Sequence, residues 1–260
     1  MNLFSLSNKT AVITGGSKGI GKSIVQLFAQ QGADVHILDM DEDAGKLIAD
    51  EINANGGEAY FYKVNVVNKT ETTEVFNHIF QHKKRLNILV NNAGIAHVGK
   101  LEDTSEEDFD RVYSVNVKGV YNCSFSGVEK MKQSGGGVIL NLASVVALMG
   151  IPDRFAYSMS KGAVLTMTYS IAKDYLDQNI RCNAISPGRV HTPFVDGFIK
   201  KNYPGREKEM FEQLSKSQPI GRMAEPDEIA KLVLYLCSDE ASFITGVNYP
   251  IDGGFSTLNS

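Results

Sequence analysis

The chain has 260 residues, of which 43% are hydrophobic and 22% charged, and its formal net charge is −4. That size fits one large α/β unit or at most two small domains, with the composition of a globule that has a real core. The slight acidity leaves no electrostatic footprint for nucleic acid, and the basic residues form no stripe.

Residues 1–6 lack the basic flank and long apolar core of a signal peptide. Residues 9–14 read as a short buried strand that runs into Gly15-Gly16-Ser17-Lys18-Gly19-Ile20-Gly21 and then a helical pattern through Gln31. Glycines placed after a strand and before a helix let the backbone turn tightly and approach a pyrophosphate, whose charge meets the helix N-terminus. The spacing is a variant of the dinucleotide fingerprint. A second strand, 34–38, ends at Asp39, where a carboxylate accepts both hydroxyls of an adenine ribose and repels a 2′-phosphate. Lys18 argues the other way, because it could pair with such a phosphate. Met40, beside Asp39, offers no cation, so the reading is NAD over NADP.

A helix over 42–54 closes at Asn55-Gly56-Gly57. Strand 59–63 follows, with Asn65 and Val66 just beyond it, then a helix over 70–81 and a strand over 86–90 that delivers Asn91-Asn92-Ala93-Gly94. Four strand–helix alternations predict an α/β, doubly wound parallel sheet with right-handed crossovers. From Ser105 the pattern is helical again, with Glu106 and Glu107 in the first turn and Asp108 completing a capping arrangement. Asn116 falls inside this helix and reads either as a satisfied core hydrogen-bonder or as part of a water path. After Gly135-Gly136-Gly137, residues 138–142 form a fifth strand ending near Ser144. The longest apolar run, 138–151, is interrupted by Asn141 and Ser144 and is too short to span a bilayer.

A helix over 155–177 carries Tyr157 and Lys161, four residues apart and therefore on one face, about one turn from each other. A neighbouring ammonium favours the phenolate and pulls a tyrosine pKa down from about 10 towards neutrality. The spacing alone is common, so the rest of a site must come from elsewhere in the chain. Met159, Ala163, Val164, Met167, Ile171 and Ala172 make the helix apolar over more than one stripe, which predicts a subunit interface in a dimer of dimers, a homotetramer. Strand 180–185 leads to Pro187-Gly188-Arg189-Val190-His191-Thr192-Pro193. Residues 194–223, broken at Pro204-Gly205 and Pro219, read as short helices on hinges, a lid at about 190–223. Pro226 opens a helix over 227–236, a seventh strand covers 247–251, and a polar tail follows. The organisation is one domain over 1–260.

Cys123, Cys182 and Cys237 are odd in number and widely spaced. They read as reduced, mostly buried thiols of a cytoplasmic protein. No metal is expected.

Together these residues resemble the short-chain dehydrogenase/reductase family over essentially the whole chain. Thr14 to Gly21 matches its cofactor motif, Asn91-Asn92-Ala93-Gly94 the motif that stabilises the central strand, and Pro187-Gly188 through Thr192 the segment that holds the nicotinamide. Asn116, Ser144, Tyr157 and Lys161 match its catalytic tetrad. Asn65 departs from the family's usual aspartate at the adenine amine, although an amide oxygen can still accept that hydrogen bond. The later region is similar to the branch acting on small hydroxy acids, sugars and sugar acids, and the acidic chain shows no obvious basic surface for docking an acyl carrier protein.

The resemblance implies hydride transfer between a carbinol carbon and a nicotinamide, with Tyr157 as the acid/base. Lys161 would keep the phenolate accessible and hold the nicotinamide ribose. Ser144 would bind the substrate oxygen, and Asn116 a water linking Lys161 to solvent. The cofactor set is Gly15, Ser17, Lys18, Gly19, Ile20, Gly21, Asp39, Asn65, Val66, Asn91, Ala93, Gly94, Tyr157, Lys161, Pro187, Gly188, Val190 and Thr192. Candidates for contact with a small polar substrate are His97, Arg154, Arg189 and His191, the arginines suggesting a carboxylate or polyol unless they only pair with surface acids. The competing readings are an NAD(P)H-dependent reductase of a keto or aldehyde sugar acid or a 3-oxoacyl substrate, and a non-catalytic relative that keeps the fold. Neither a nucleic acid nor a membrane is expected as a partner.

Overall fold

Seven strands pair in parallel: β1 (Thr10–Thr14), β2 (Asp34–Asp39), β3 (Glu58–Lys63), β4 (Ile88–Asn91), β5 (Gly137–Leu142), β6 (Ile180–Pro187) and β7 (Asn248–Ile251). Their order in the sheet is β3-β2-β1-β4-β5-β6-β7. This is a computed structural model that describes residues 3–258; the first two and last two residues, which end the leader and tail segments, lie outside it, as do the side chains of Lys201 and Asn202.

Helices cover both faces of the sheet, which explains why central strands read as continuous apolar runs. On one face Ala11, Ile13, Ile88 and Val90 meet α1 (Gly19–Gln30), α2 (Glu42–Ala54) and α9 (Pro226–Cys237) through Ile24, Phe28, Ile48 and Val233. On the other, Val12, Leu89 and Ile139 meet α3 (Lys69–Lys83) and α5 (Gly119–Gln133) through Phe76, Ile79 and Met131. Successive strand residues serve opposite layers, as a period of two requires. Fully burying side chains such as Phe28 and Phe76 contributes about 1.5–3 kcal/mol each.

Short-range chemistry sets most helix ends. Asp41 accepts from the Ala44 N–H, and Gly56 at φ 81 follows the C-terminus, so α2 has the bounds its sequence predicts. Ser105 accepts from the Asp108 N–H at the start of α4 (Glu106–Tyr113). Glu225 and Glu228 cap α9 reciprocally around Pro226. α1 differs, because Lys18 stands at its N-cap and no side chain caps it.

Three departures from the sequence reading matter. The helix entered at Ser105 widens into a π turn, Ser114–Lys118, before continuing as α5, and Asn116 sits in that turn. The helix α6 (Phe155–Asp174) stops short of 177; a 3₁₀ turn and Asn179 at φ 54 follow it. Beyond β7 the chain makes a short helix, α10 (Phe255–Leu258), where the sequence suggests only a polar tail. Between β6 and α9 lie α7 (Pro193–Asn202) and α8 (Glu207–Lys216).

Cys123, Cys182 and Cys237 are free and buried. α5 exposes Tyr121 and Phe125, and α6 exposes Phe155 and Tyr169. No helix among the described residues is long and apolar enough to cross a membrane.

Candidate active site

A cavity of about 880 Å³ lies along the carboxyl ends of the strands, from Asp39 on β2 to Leu214 on α8. It spans the point between β1 and β4 where the strand order reverses, the place where open α/β sheets bind ligands.

At one end the backbone has been cleared of side chains. Gly15 has φ 64, and a Cβ there would lie 2.8 Å from the Ala93 Cα; at Gly21 a Cβ would strike the Gly15 carbonyl oxygen. Asn92 braces the turn, its Nδ2 donating to the carbonyls of Thr14 (3.0 Å) and Gly15 (2.8 Å). Thr14 Oγ1 accepts from the N–H groups of Asn92 (3.1 Å) and Ala93 (3.0 Å). Gly15, Lys18, Gly19 and Ile20 then line the cavity. Because α1 is uncapped, its first N–H groups await an anion. A cradle that a single Cβ would fill, at an open helix N-terminus, fits the diphosphate of a nicotinamide dinucleotide.

Asp39 stands at the end of β2, with Oδ2 accepting from Ser17 N (2.9 Å) and Oδ1 from Asp41 N (3.1 Å). Ser17 and Gly21 support the loop from behind and do not line the cavity. Lys18 is tied to Asp41, whose hydrogen bond and charge raise the lysine pKa. Asn65 and Val66 line the cavity; the Asn65 Oδ1 accepts from Val67 N at 3.1 Å, and the Val66 carbonyl from Asn122 at 2.9 Å. Asn91 lies beneath the site, its amide donating to Ser124 Oγ (3.0 Å) and Asn141 Oδ1 (2.8 Å) and so joining β4 to β5 and α5. Asn92, its neighbour, is the one that faces the cavity.

Midway along, β5 and α6 bring Ser144, Tyr157 and Lys161 to one wall, with Ala93 and Gly94 near them. Pro187, Gly188, Val190 and Thr192 stand on the neighbouring segment, where Val190 bridges to Ala224 and Thr192 caps α7. The Lys161 Nζ is buried, donates to the Leu142 carbonyl at 2.6 Å and lies 5.8 Å from the Tyr157 ring centre. Burial pushes its pKa down to about 8.

Tyr157 behaves differently from the expectation. Burial raises its pKa, and the hydrogen bond with Ser144 and the charge of Arg154 pull it down by less. The groups that lower it are Ser144 and Arg154 rather than Lys161.

Asn116 is fully buried behind Gly94 and does not line the cavity. Its Oδ1 accepts from Ile95 N at 2.8 Å; its Nδ2 donates to the Ile95 carbonyl (2.8 Å) and to Ser160 Oγ (2.9 Å). One Oδ1 lone pair is left over. A Cβ on Gly94 would touch both Asn116 Oδ1 (3.3 Å) and Lys161 Nζ (3.5 Å), so this glycine lies beside both groups.

Of the four substrate candidates, Arg154 and Arg189 reach the cavity, whereas His97 and His191 do not. The loop after β4 is pinned by a bridge between Gly99 and Arg154, and His97 turns to Asp108 at 3.5 Å. His191 pairs with Asp196 at 3.1 Å and lays its ring against Phe211. Side chains that the sequence reading passed over complete the far wall: Phe194 and Phe198 of α7, Leu214 of α8, Gln218 and Phe255. Asp252 accepts from Gly254 N, Ser256 N and Ser256 Oγ, and this cap folds the tail back so that Phe255 arrives there. An aspartate before two glycines and a serine is the signal that marks this turn.

The switch-point crevice, the glycine loop and the Ser144–Tyr157–Lys161 wall fit a nicotinamide-dependent oxidoreductase. Residues 15–256 match the family described as enoyl-(acyl carrier protein) reductase. The chain is 42% identical to an uncharacterized oxidoreductase of Thermotoga maritima, over 98% of this chain and 100% of that one. It resembles the crystal structure of a short-chain type dehydrogenase/reductase from Mycobacterium marinum with a TM-score of 0.91 and 33% identity, covering 98% of each chain. A 3-ketoacyl-(acyl-carrier-protein) reductase from Brucella melitensis, complexed with NADH, matches with a TM-score of 0.87 and 33% identity over 97% of this chain and 100% of that one. The protein belongs to the short-chain dehydrogenase/reductase family.

Proposed function

We propose that the protein reversibly oxidises a small polar hydroxy compound with NAD, using Tyr157 as acid/base. The observation that carries this is one cavity lined at its middle by Ser144, Tyr157 and Lys161 and at its end by the glycine loop and Asp39. When bound, the nicotinamide supplies the acceptor for the hydride, so that the carbinol C–H bond breaks with its electron pair as the hydroxyl proton leaves.

Tyr157 takes that proton as phenolate, the form that the Ser144 hydrogen bond and the Arg154 charge favour against burial, and returns it in the reverse direction. Ser144 donates to the substrate oxygen where negative charge develops. Lys161, titrating near 8, is the next proton holder, and Asn116 offers its spare Oδ1 lone pair to a water on the way out. Gly15, Gly19 and Ile20 would hold the diphosphate, and Asp39 the adenine ribose. Asn65 and Val66 would flank the adenine, and Gly94, Gly188, Val190 and Thr192 the nicotinamide half. Asp39 held at the ribose position and Lys18 engaged by Asp41 both support NAD over NADP. α7 and α8, within residues 190–223 of the single domain, would act as the lid. The exposed aromatic residues of α5 and α6 support a homotetramer, and the free buried thiols suit the cytoplasm.

A panel of sugars, sugar acids and hydroxy acids, followed by NADH absorbance with NAD and NADP in parallel, tests the proposal. No turnover of any of them would sink it. The likeness to a ketoacyl reductase favours a second reading, reduction of a 3-oxoacyl substrate. Oxidation of NADH by 3-oxoacyl thioesters, with the alcohols inert, would select it.

A further inference from the structure

The substrate end of the cavity holds two guanidinium groups and no acid. Elsewhere Arg111, Arg206 and Arg222 pair with acids, Arg181 donates to the carbonyls of Leu236, Ser238 and Ile244, and Arg85 donates to Thr10 Oγ1 at 3.3 Å. Arg154 donates only to the carbonyl of its neighbour Asp153 (2.8 Å) and lies 5.9 Å from the Phe198 ring centre. Arg189 donates from Nε to Ser217 Oγ at 3.0 Å. Among the described residues, neither has a carboxylate partner. Asp39 and Asp41, the acids on the cavity wall, stand at its adenosine end.

Both arginines are fixed in place by the backbone. Arg154 ends a loop bridged to Gly99 and stands at the N-cap of α6, three residues before Tyr157. Arg189 hangs beside the Val190–Ala224 bridge, with Gln218 Oε1 accepting its N–H at 3.2 Å. Both side chains line the same cavity, and burial first, then the charge of Arg154, lowers the Arg189 pKa. Like charges held together there carry a cost that a bound anion removes. Around them the wall is apolar: Val146, Ile151, Phe194, Phe198, Leu214 and Phe255.

We propose that Arg154 and Arg189 jointly bind the carboxylate of a short hydroxy or keto acid whose hydrocarbon body lies against Phe194, Phe198 and Leu214. This rests on the oxidoreductase reading above and narrows its substrate to hydroxy acids, because a sugar would bury several hydroxyls on this wall without partners. Planar guanidinium forks match a carboxylate, and their hydrogen bonds to it are charge-assisted.

The full chain with saturating NADH is titrated calorimetrically with short 2- and 3-hydroxycarboxylates, their methyl esters, short alkyl phosphates and aldoses. The hydroxy acid with reduced cofactor cannot react, so the heat reports binding alone. The acid is expected to bind about tenfold more tightly than its ester. Arg154→Gln and Arg189→Gln each collapse that acid-to-ester ratio, and Arg154→Lys retains part of it, with circular dichroism checking the fold of each variant. Equal affinity for acid and ester overturns the proposal, as does a ratio unmoved by both glutamine variants or a preference for the phosphate or aldose. Failure of the oxidoreductase reading shows elsewhere, as full turnover by Tyr157→Phe, and leaves these binding ratios interpretable.

Discussion

On the proposed function, the two ends of the cavity recognise their ligands by opposite means. The adenosine end is largely backbone: a loop with no room for a Cβ at Gly15 or Gly21, an uncapped helix and one carboxylate oriented by two main-chain N–H groups. The substrate end is made of side chains contributed by the loop after β4, α6, the segment after β6, α7, α8 and the C-terminal turn. Backbone recognition leaves little room for variation, because a change at Gly15 or Gly21 is a collision. Side-chain recognition can be rewritten one residue at a time, and the same fold can then serve many substrates.

The largest effect that separates the two ends should come from the residue between them. Tyr157→Phe removes the acid/base and is expected to lower kcat by about 10²–10⁴-fold, measured as NADH formation under saturating substrate. Retained turnover would remove the central role given to this phenol. Next, Gly21→Ala drives a Cβ into the Gly15 carbonyl, and overpacking of this kind costs about 1–3 kcal/mol. NADH affinity, followed by fluorescence titration, should fall by roughly 5- to 150-fold. An alanine there without effect would mean that the loop is more yielding than its contacts suggest.

Asp39→Ala should reduce the efficiency with NAD relative to NADP by about tenfold, the value of one charge-assisted hydrogen bond. An unchanged ratio would move cofactor choice away from β2.

The smallest effect is in stability. Lys161 has a folded pKa of about 8, below the ordinary lysine value of about 10.4. Between these values the unfolded chain binds more protons, so this residue makes stability rise with pH through that window, and its burial penalty is fully felt below about 8. Lys161→Met should flatten that part of the Tm profile. On the acid side Asp34 gives a slope of the same sign: burial raises its pKa, but His36 and Lys83 together outweigh burial and hold the carboxyl below the usual carboxylate range. Its contribution is present above the unfolded value of about 3.9 and is lost as pH falls further.

The adenosine end was largely legible in the chain because its signals are local. Strand, glycines, helix and Asp39 follow one another within thirty residues, and the caps at Asp41 and Ser105 mark helix starts. The substrate end was legible in its residue types but not in its geometry. Nothing near His97 in sequence reports the Gly99–Arg154 bridge that turns it towards Asp108. The bond from Lys161 to the Leu142 carbonyl joins residues nineteen apart, and the burial that raises the Tyr157 pKa comes from the assembled fold. The π turn at Asn116 has no compositional mark either, since Ser114-Val115-Asn116-Val117-Lys118 would serve an ordinary helix as well.

That wider turn has a consequence for how the chain tolerates deletions. Taking one residue out of Ser114–Lys118 would let the ladder close in the regular i to i−4 manner, a local gain for the helix. It would also swing everything on one side of the cut by about 100° relative to the other. Either the amide now wedged between Ile95 and Ser160 would face elsewhere, or the α5 residues packed on β4 would. A shortened protein could therefore melt higher while the floor under its lysine is gone.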